Sequence, residues 1–92
     1  MITLEQKTPS SISESIAQRV RTRRKEKKLT QTEMSKRAGM SLASYKRFEQ
    51  TGEIAFYSLI KIAIALDCEN DFDNLFSKKQ FATLQELIDE QK

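Results

Sequence analysis

Leu42, Ala43, Ser44 and Arg47, with Lys46 among them, are the residues whose types and spacing point most clearly to chemistry. An arginine presents a planar fork of N–H donors that matches guanine O6 and N7 in a DNA major groove. Leu42 and Ala43 have no hydrogen-bonding side chain, so they suit thymine methyls, and Lys46 is a point charge suited to a phosphate. A lysine and an arginine side by side on a helix are more often a solvated face, so the reading depends on what surrounds them. Other chemistries find little support. Histidine is absent and Cys68 is the single cysteine, which leaves no zinc cluster, disulfide or Cys–His nucleophile to assemble within the chain. No set of nucleophile, base and metal ligand is present, so neither an enzyme nor a bound metal or cofactor is expected.

The elements that must position these residues are written locally. Thr30 is a good N-cap, and Glu33 three places on reaches back to the cap's N–H, so a helix is predicted over about 31–38. Met34 and Ala38 share its inner face, with Thr32, Lys36 and Arg37 outside. Gly39 supplies the left-handed residue that ends it, after Lys36 and Arg37 at the negative end of the dipole. Ser41 caps a second helix over about 42–50. On that helix Tyr45 and Phe48 face inward with Ser44, and Leu42, Ala43, Lys46 and Arg47 take the opposite face. So short a link makes the two helices cross steeply, as a helix-turn-helix does, with the outer face of the second helix in a major groove.

The chain has 92 residues and a net charge of +3, one domain with a modest helical core. Residues 1–49 hold twelve Lys or Arg against five Asp or Glu, and residues 50–92 hold four against eight, giving +7 and −4. The basic half, with Arg19, Arg21, Arg23, Arg24, Lys25, Lys27 and Lys28 on a first helix, suits phosphate neutralisation; the acidic half suits a protein surface or plain solvation. Pro9 and small polar residues predict a mobile arm over 1–11. Ser11 or Ser13 is expected to cap helix one, with Glu14 near its positive end and the helix running to about Lys27. The domain is predicted over 12–77, with helix four at about 56–66, carrying Leu59, Ile62, Ala63 and Leu66, and a short fifth helix at 71–76 contributing Phe72, Leu75 and Phe76. Residues 78–92 read as a further amphipathic helix with Phe81, Leu84, Leu87 and Ile88 on its apolar stripe. That stripe has three uses: folding back, dimerisation, or a groove on another protein. No apolar run reaches a membrane span and no signal core follows the N-terminus, so the cytoplasm is the expected compartment and Cys68 is expected to be reduced and partly buried.

From Ile16 to about Phe76 this order of residues resembles the Cro and lambda-repressor-like superfamily, the XRE family of helix-turn-helix regulators. The resemblance rests on Ile16 and Val20 in a basic first helix, Leu29-Thr30-Gln31, Gly39-Met40-Ser41, Phe48-Glu49, and Leu59, Ile62, Ala63 and Leu66. Gln50-Thr51-Gly52 stands where the family often has Arg-Gly or Asn-Gly, and Phe56 where it often has proline. The resemblance implies an all-α, five-helix domain acting as a dimeric repressor on a palindromic double-stranded operator; the additional C-terminal helix lies beyond the family pattern. It implies base readout by Leu42, Ala43, Ser44 and Arg47, and phosphate contacts from Arg19, Arg23, Arg24, Gln31 and Lys46. Arg24 and Glu49 match a paired arginine and glutamate of the family, which predicts a partly buried ion pair between the first and third helices. Lys46 to Ile54 with Ser58 to Ala63 also resembles regulators paired with HipA-type serine/threonine kinases, so such a toxin is an expected partner and autorepressing antitoxin an expected role. The alternative is an adaptor or coactivator of the same fold that works mainly through protein contacts.

Overall fold

In the computed structural model, which describes residues 7–80 and 84–91, the helices are α1 (Pro9–Glu26), α2 (Gln31–Ala38), α3 (Leu42–Thr51), α4 (Phe56–Ala65) and α5 (Leu84–Glu90), with one turn of 3-10 helix at Glu69–Phe72 between α4 and α5. The architecture is all-α. No helix among the described residues is long and apolar enough to cross a membrane.

Helix α1 starts earlier than the serines suggest. Thr8 is its N-cap, in a reciprocal box with Ser11: Ser11 N–H donates to Thr8 Oγ1 at 3.0 Å and Thr8 N–H to Ser11 Oγ at 2.9 Å. Pro9 then occupies the first helical position, where its fixed φ suits the helix and its missing N–H costs nothing. So Pro9 begins the helix rather than marking an arm that lasts to residue 11, and Glu14 lies beyond the first turn. The helix ends at Glu26, one residue short of Lys27.

Four helix ends use a left-handed residue. At α2, Gly39 (φ 69°) donates to Lys36 O and Met40 N–H to Ser35 O, the paired bonds of a Schellman cap. The same pair recurs after α1, around Lys28 (φ 58°), and after α4, around Asp67 (φ 58°). Helix α3 ends at Gly52 (φ 81°), whose N–H bonds Phe48 O. Lys27 Nζ and Asp67 Oδ2, 3.3 Å apart, tie the ends of α1 and α4 together.

Helix α1 packs on α3, and α2 packs on both α3 and α4. Met34, Tyr45, Phe48 and Ile62 are the largest fully buried side chains, joined by Ala17, Leu29, Ala38 and Leu66. Burying an aliphatic or aromatic side chain of this size contributes about 1.5–3 kcal/mol, so this small cluster holds the four helices α1 to α4 together. Leu59 is half-buried against it, as is Cys68.

The expected fifth helix at 71–76 is absent. A single 3-10 turn at Glu69–Phe72 packs on α4, where Phe72 meets Phe56 edge-on with ring centroids 5.7 Å apart. Leu75 and Phe76 are exposed, Phe76 at 96% and with φ 60°. The spacing of Phe72, Leu75 and Phe76 imitates a helical stripe, but among the described residues only Phe72 finds an aromatic partner. Of the C-terminal stripe, Leu84 and Ile88 are exposed rather than folded back, while Phe81 and the side chain of Leu87 lie outside the described residues.

Candidate nucleic-acid interface

The angle at which α3 is presented is set by one buried polar cluster. Arg24 Nε and Nη2 donate to Glu49 Oε2 and Oε1 at 2.7 and 3.1 Å, with the two side chains only 9% and 4% exposed. Arg24 Nη1 donates to Leu29 O at 2.8 Å, at the entrance to α2. Glu49 also accepts from the Tyr45 hydroxyl one turn earlier on α3 and from Gln31 Nε2 on α2 at 3.0 Å. One carboxylate thus joins three helices. Burial pushes the Glu49 carboxyl up, but the bonds from Arg24, Tyr45 and Gln31 together outweigh it and hold it below the ordinary carboxylate range. The bond to Glu49 outweighs burial at Arg24 and raises its guanidinium further, and burial, then Glu49, raises the Tyr45 phenol. A planar fork meeting a carboxylate at two points also fixes orientation.

This cluster engages two of the residues expected at phosphates. Arg24 was expected to serve both as an ion-pair partner and as a phosphate contact; its buried guanidinium is bonded through all three nitrogens, which gives it the ion-pair role. Gln31, also expected at a phosphate, is half-buried and turns its amide inward to Glu49.

The outer face of α3 is open. Ser41 caps the helix, accepting Ser44 N–H at 3.1 Å and donating to Ser44 Oγ at 2.9 Å. Ser44 was expected inside with Tyr45 and Phe48; bonded to the cap in the first turn, it is exposed instead, beside Ala43. Lys46 and Arg47 are exposed, and Leu42 is half-buried. Arg19 and Arg23, on α1, are exposed and hold only local partners: Arg19 reaches Ser15 at 3.4 Å, and Arg23 pairs with Glu26 at 2.6 Å.

Three features of this region escaped the sequence reading. Arg47 Nη2 pairs with Glu53 Oε1 at 2.5 Å; a separation of six residues matches no helical contact rule, so no periodicity announces it. Lys61 Nζ, on α4, donates to Gly39 O at 3.0 Å and braces the turn between α2 and α3. The Tyr45 hydroxyl on Glu49 is an i,i+4 contact on α3, a spacing that was available to be read.

Two capped helices joined by Gly39-Met40-Ser41, the second turning polar and basic residues outward, make a helix-turn-helix. The helix-turn-helix family pattern matches residues 20–69, more than half of the chain, and the chain belongs to that family as an XRE-like DNA-binding regulator of transcription. No curated protein matches it.

Proposed function

We propose that this protein is a sequence-specific repressor that binds a palindromic double-stranded operator as a dimer, with the outer face of α3 in the major groove, and that it works in the cytoplasm. The observation that carries the reading is the division of α3 between its two faces: Tyr45, Phe48 and Glu49 are buried, while Ala43, Ser44, Lys46 and Arg47 are exposed. A reading helix needs this combination of a rigid back and a free polar front.

The roles follow from side-chain chemistry. Arg47 pairs with guanine O6 and N7, Ala43 and the exposed part of Leu42 meet thymine methyls, and Ser44 bonds to either kind of base edge. Lys46, whose Nζ has no partner among the described residues, joins Arg19 and Arg23 on phosphates, fixing register without reading sequence. One α3 spans too few base pairs to be selective, so two copies on half-sites about 34 Å apart are expected. Over a promoter, such a dimer excludes polymerase by occupancy.

Selection from randomised duplexes tests this directly. Enrichment of an inverted repeat with that spacing is the expected result. Binding that survives only at low salt and enriches no common sequence would overturn it.

Pairing with a HipA-type kinase is a second reading. It is supported by the acidic second half of the chain and the apolar side chains exposed there, including Tyr57, Ile64 and Leu84. Stoichiometric recovery of a kinase with the tagged protein from its own host supports it, and recovery of operator DNA without a kinase counts against it.

A further inference from the structure

The loop after α3 is tied to the residue assigned to base readout. Thr51 Oγ1 donates to Arg47 O at 2.7 Å and accepts Glu53 N–H at 3.1 Å, and Glu53 Oε1 accepts from Arg47 Nη2 at 2.5 Å. These three bonds close a ring from the Arg47 backbone, through Thr51 and Glu53, to the Arg47 guanidinium. The ring is also seated on α1: a Cβ on Gly52 would lie 2.7 Å from the Ser13 carbonyl carbon. The Glu53 backbone is therefore held beside the reading helix, which keeps its carboxylate within reach of Arg47.

We propose that Glu53 is a specificity-determining residue that positions the Arg47 guanidinium for guanine, a role that rests on α3 being the reading helix. Arginine has five N–H groups, and Glu53 takes one at Nη2. The others still offer the two-pronged edge that O6 and N7 require. Ordering a long side chain on binding costs about two- to tenfold in affinity, and an arginine already held avoids part of that loss. The same carboxylate, 64% exposed next to the groove face, repels the phosphates of every sequence alike. Repulsion acts everywhere and lowers operator and bulk DNA alike, whereas aiming helps only where a guanine waits, so it is the aiming that widens the gap between them.

The test compares wild-type protein with Glu53→Gln and Thr51→Val, using duplexes selected by the wild type and variants of them at each base pair. Equal melting profiles establish that the fold is retained. The expected result for Glu53→Gln is tighter binding to unrelated DNA together with a two- to tenfold loss of guanine preference at the Arg47 base pair alone, with Thr51→Val shifting that preference the same way. In an Arg47→Ala background, Glu53→Gln should leave base preference unchanged. Uniformly tighter binding with guanine preference intact would reduce Glu53 to a repulsive surface charge and overturn the proposal. Loss of preference at a different base pair would mean that Glu53 reads a base itself, which also overturns it. Failure of the wild type to select any sequence would instead remove the DNA-reading assignment, and this inference with it.

Discussion

At the scale of single residues, Glu49 has the most consequences, because its carboxylate is where α1, α2 and α3 meet. Removing one partner of a buried ion pair costs about 3–5 kcal/mol, since the other charge is left unpaired, whereas an exposed pair such as Arg23–Glu26 is worth about 0–1 kcal/mol. Arg24→Met and Glu49→Leu should each be strongly destabilising in urea denaturation, with a double variant far less harmed than the sum. Additive effects would mean that the pair contributes little. Acid should act through the same group. The folded carboxyl titrates below its unfolded value, near 4.3, so its contribution is complete above that value and is lost as pH falls through the folded one, because the unfolded chain takes up the proton first. Glu33, held below the ordinary range by the Thr30 backbone N–H, acts with the same sign. Glu49→Gln should therefore be less stable at pH 7 and show a shallower decline below about pH 4. An unchanged acid limb would place the titration elsewhere.

At the scale of elements, the two glycines at helix ends separate backbone strain from crowding. Both have positive φ, but a Cβ at Gly39 meets nothing within 4 Å, whereas at Gly52 it would press on the Ser13 backbone. Gly39→Ala should cost about 1–2 kcal/mol for the left-handed conformation. Gly52→Ala should add about 1–3 kcal/mol of overpacking, and equal costs in urea denaturation would refute the close approach of α3's end to α1. The same elements explain what could be read beforehand. Helices α2 and α3 were legible because Thr30, Glu33, Gly39 and Ser41 act on backbone groups within a few residues. The start of α1 was misplaced because Pro9 serves a loop and a first helical turn equally well. Of the other left-handed ends, Lys28 has no such preference and Asp67 only a weak one, so tertiary packing decides them. The Arg24–Glu49 pair was anticipated from the family resemblance and from the meeting of their helices, but its bonds to Tyr45, Gln31 and Leu29 needed coordinates. So did the Arg47–Glu53 contact, which joins a helix to a loop.

At the scale of the whole molecule, the basic half carries the proposed DNA face and the acidic half carries most of the large apolar side chains exposed among the described residues. Among the described residues the buried cluster ends at Leu66, so deleting residues 80–92 should leave cooperative melting within about 0.5 kcal/mol of the parent; a change in sedimentation would then assign the tail to dimerisation, and loss of cooperative melting would show that the core extends into it. In the proposed complex the exposed face of α3 reads sequence while nearby cations only hold phosphate. Base-by-base binding profiles of Arg47→Ala and Lys46→Ala, measured across a salt series, test it most directly. Arg47→Ala should lose about 1–3 kcal/mol on the operator and relax preference at one base pair in each half-site. Lys46→Ala should weaken all sequences alike and lower the salt slope by about 1 per protomer. An Arg47→Ala profile with the wild-type sequence preference intact would contradict the assignment of α3 as the reading helix.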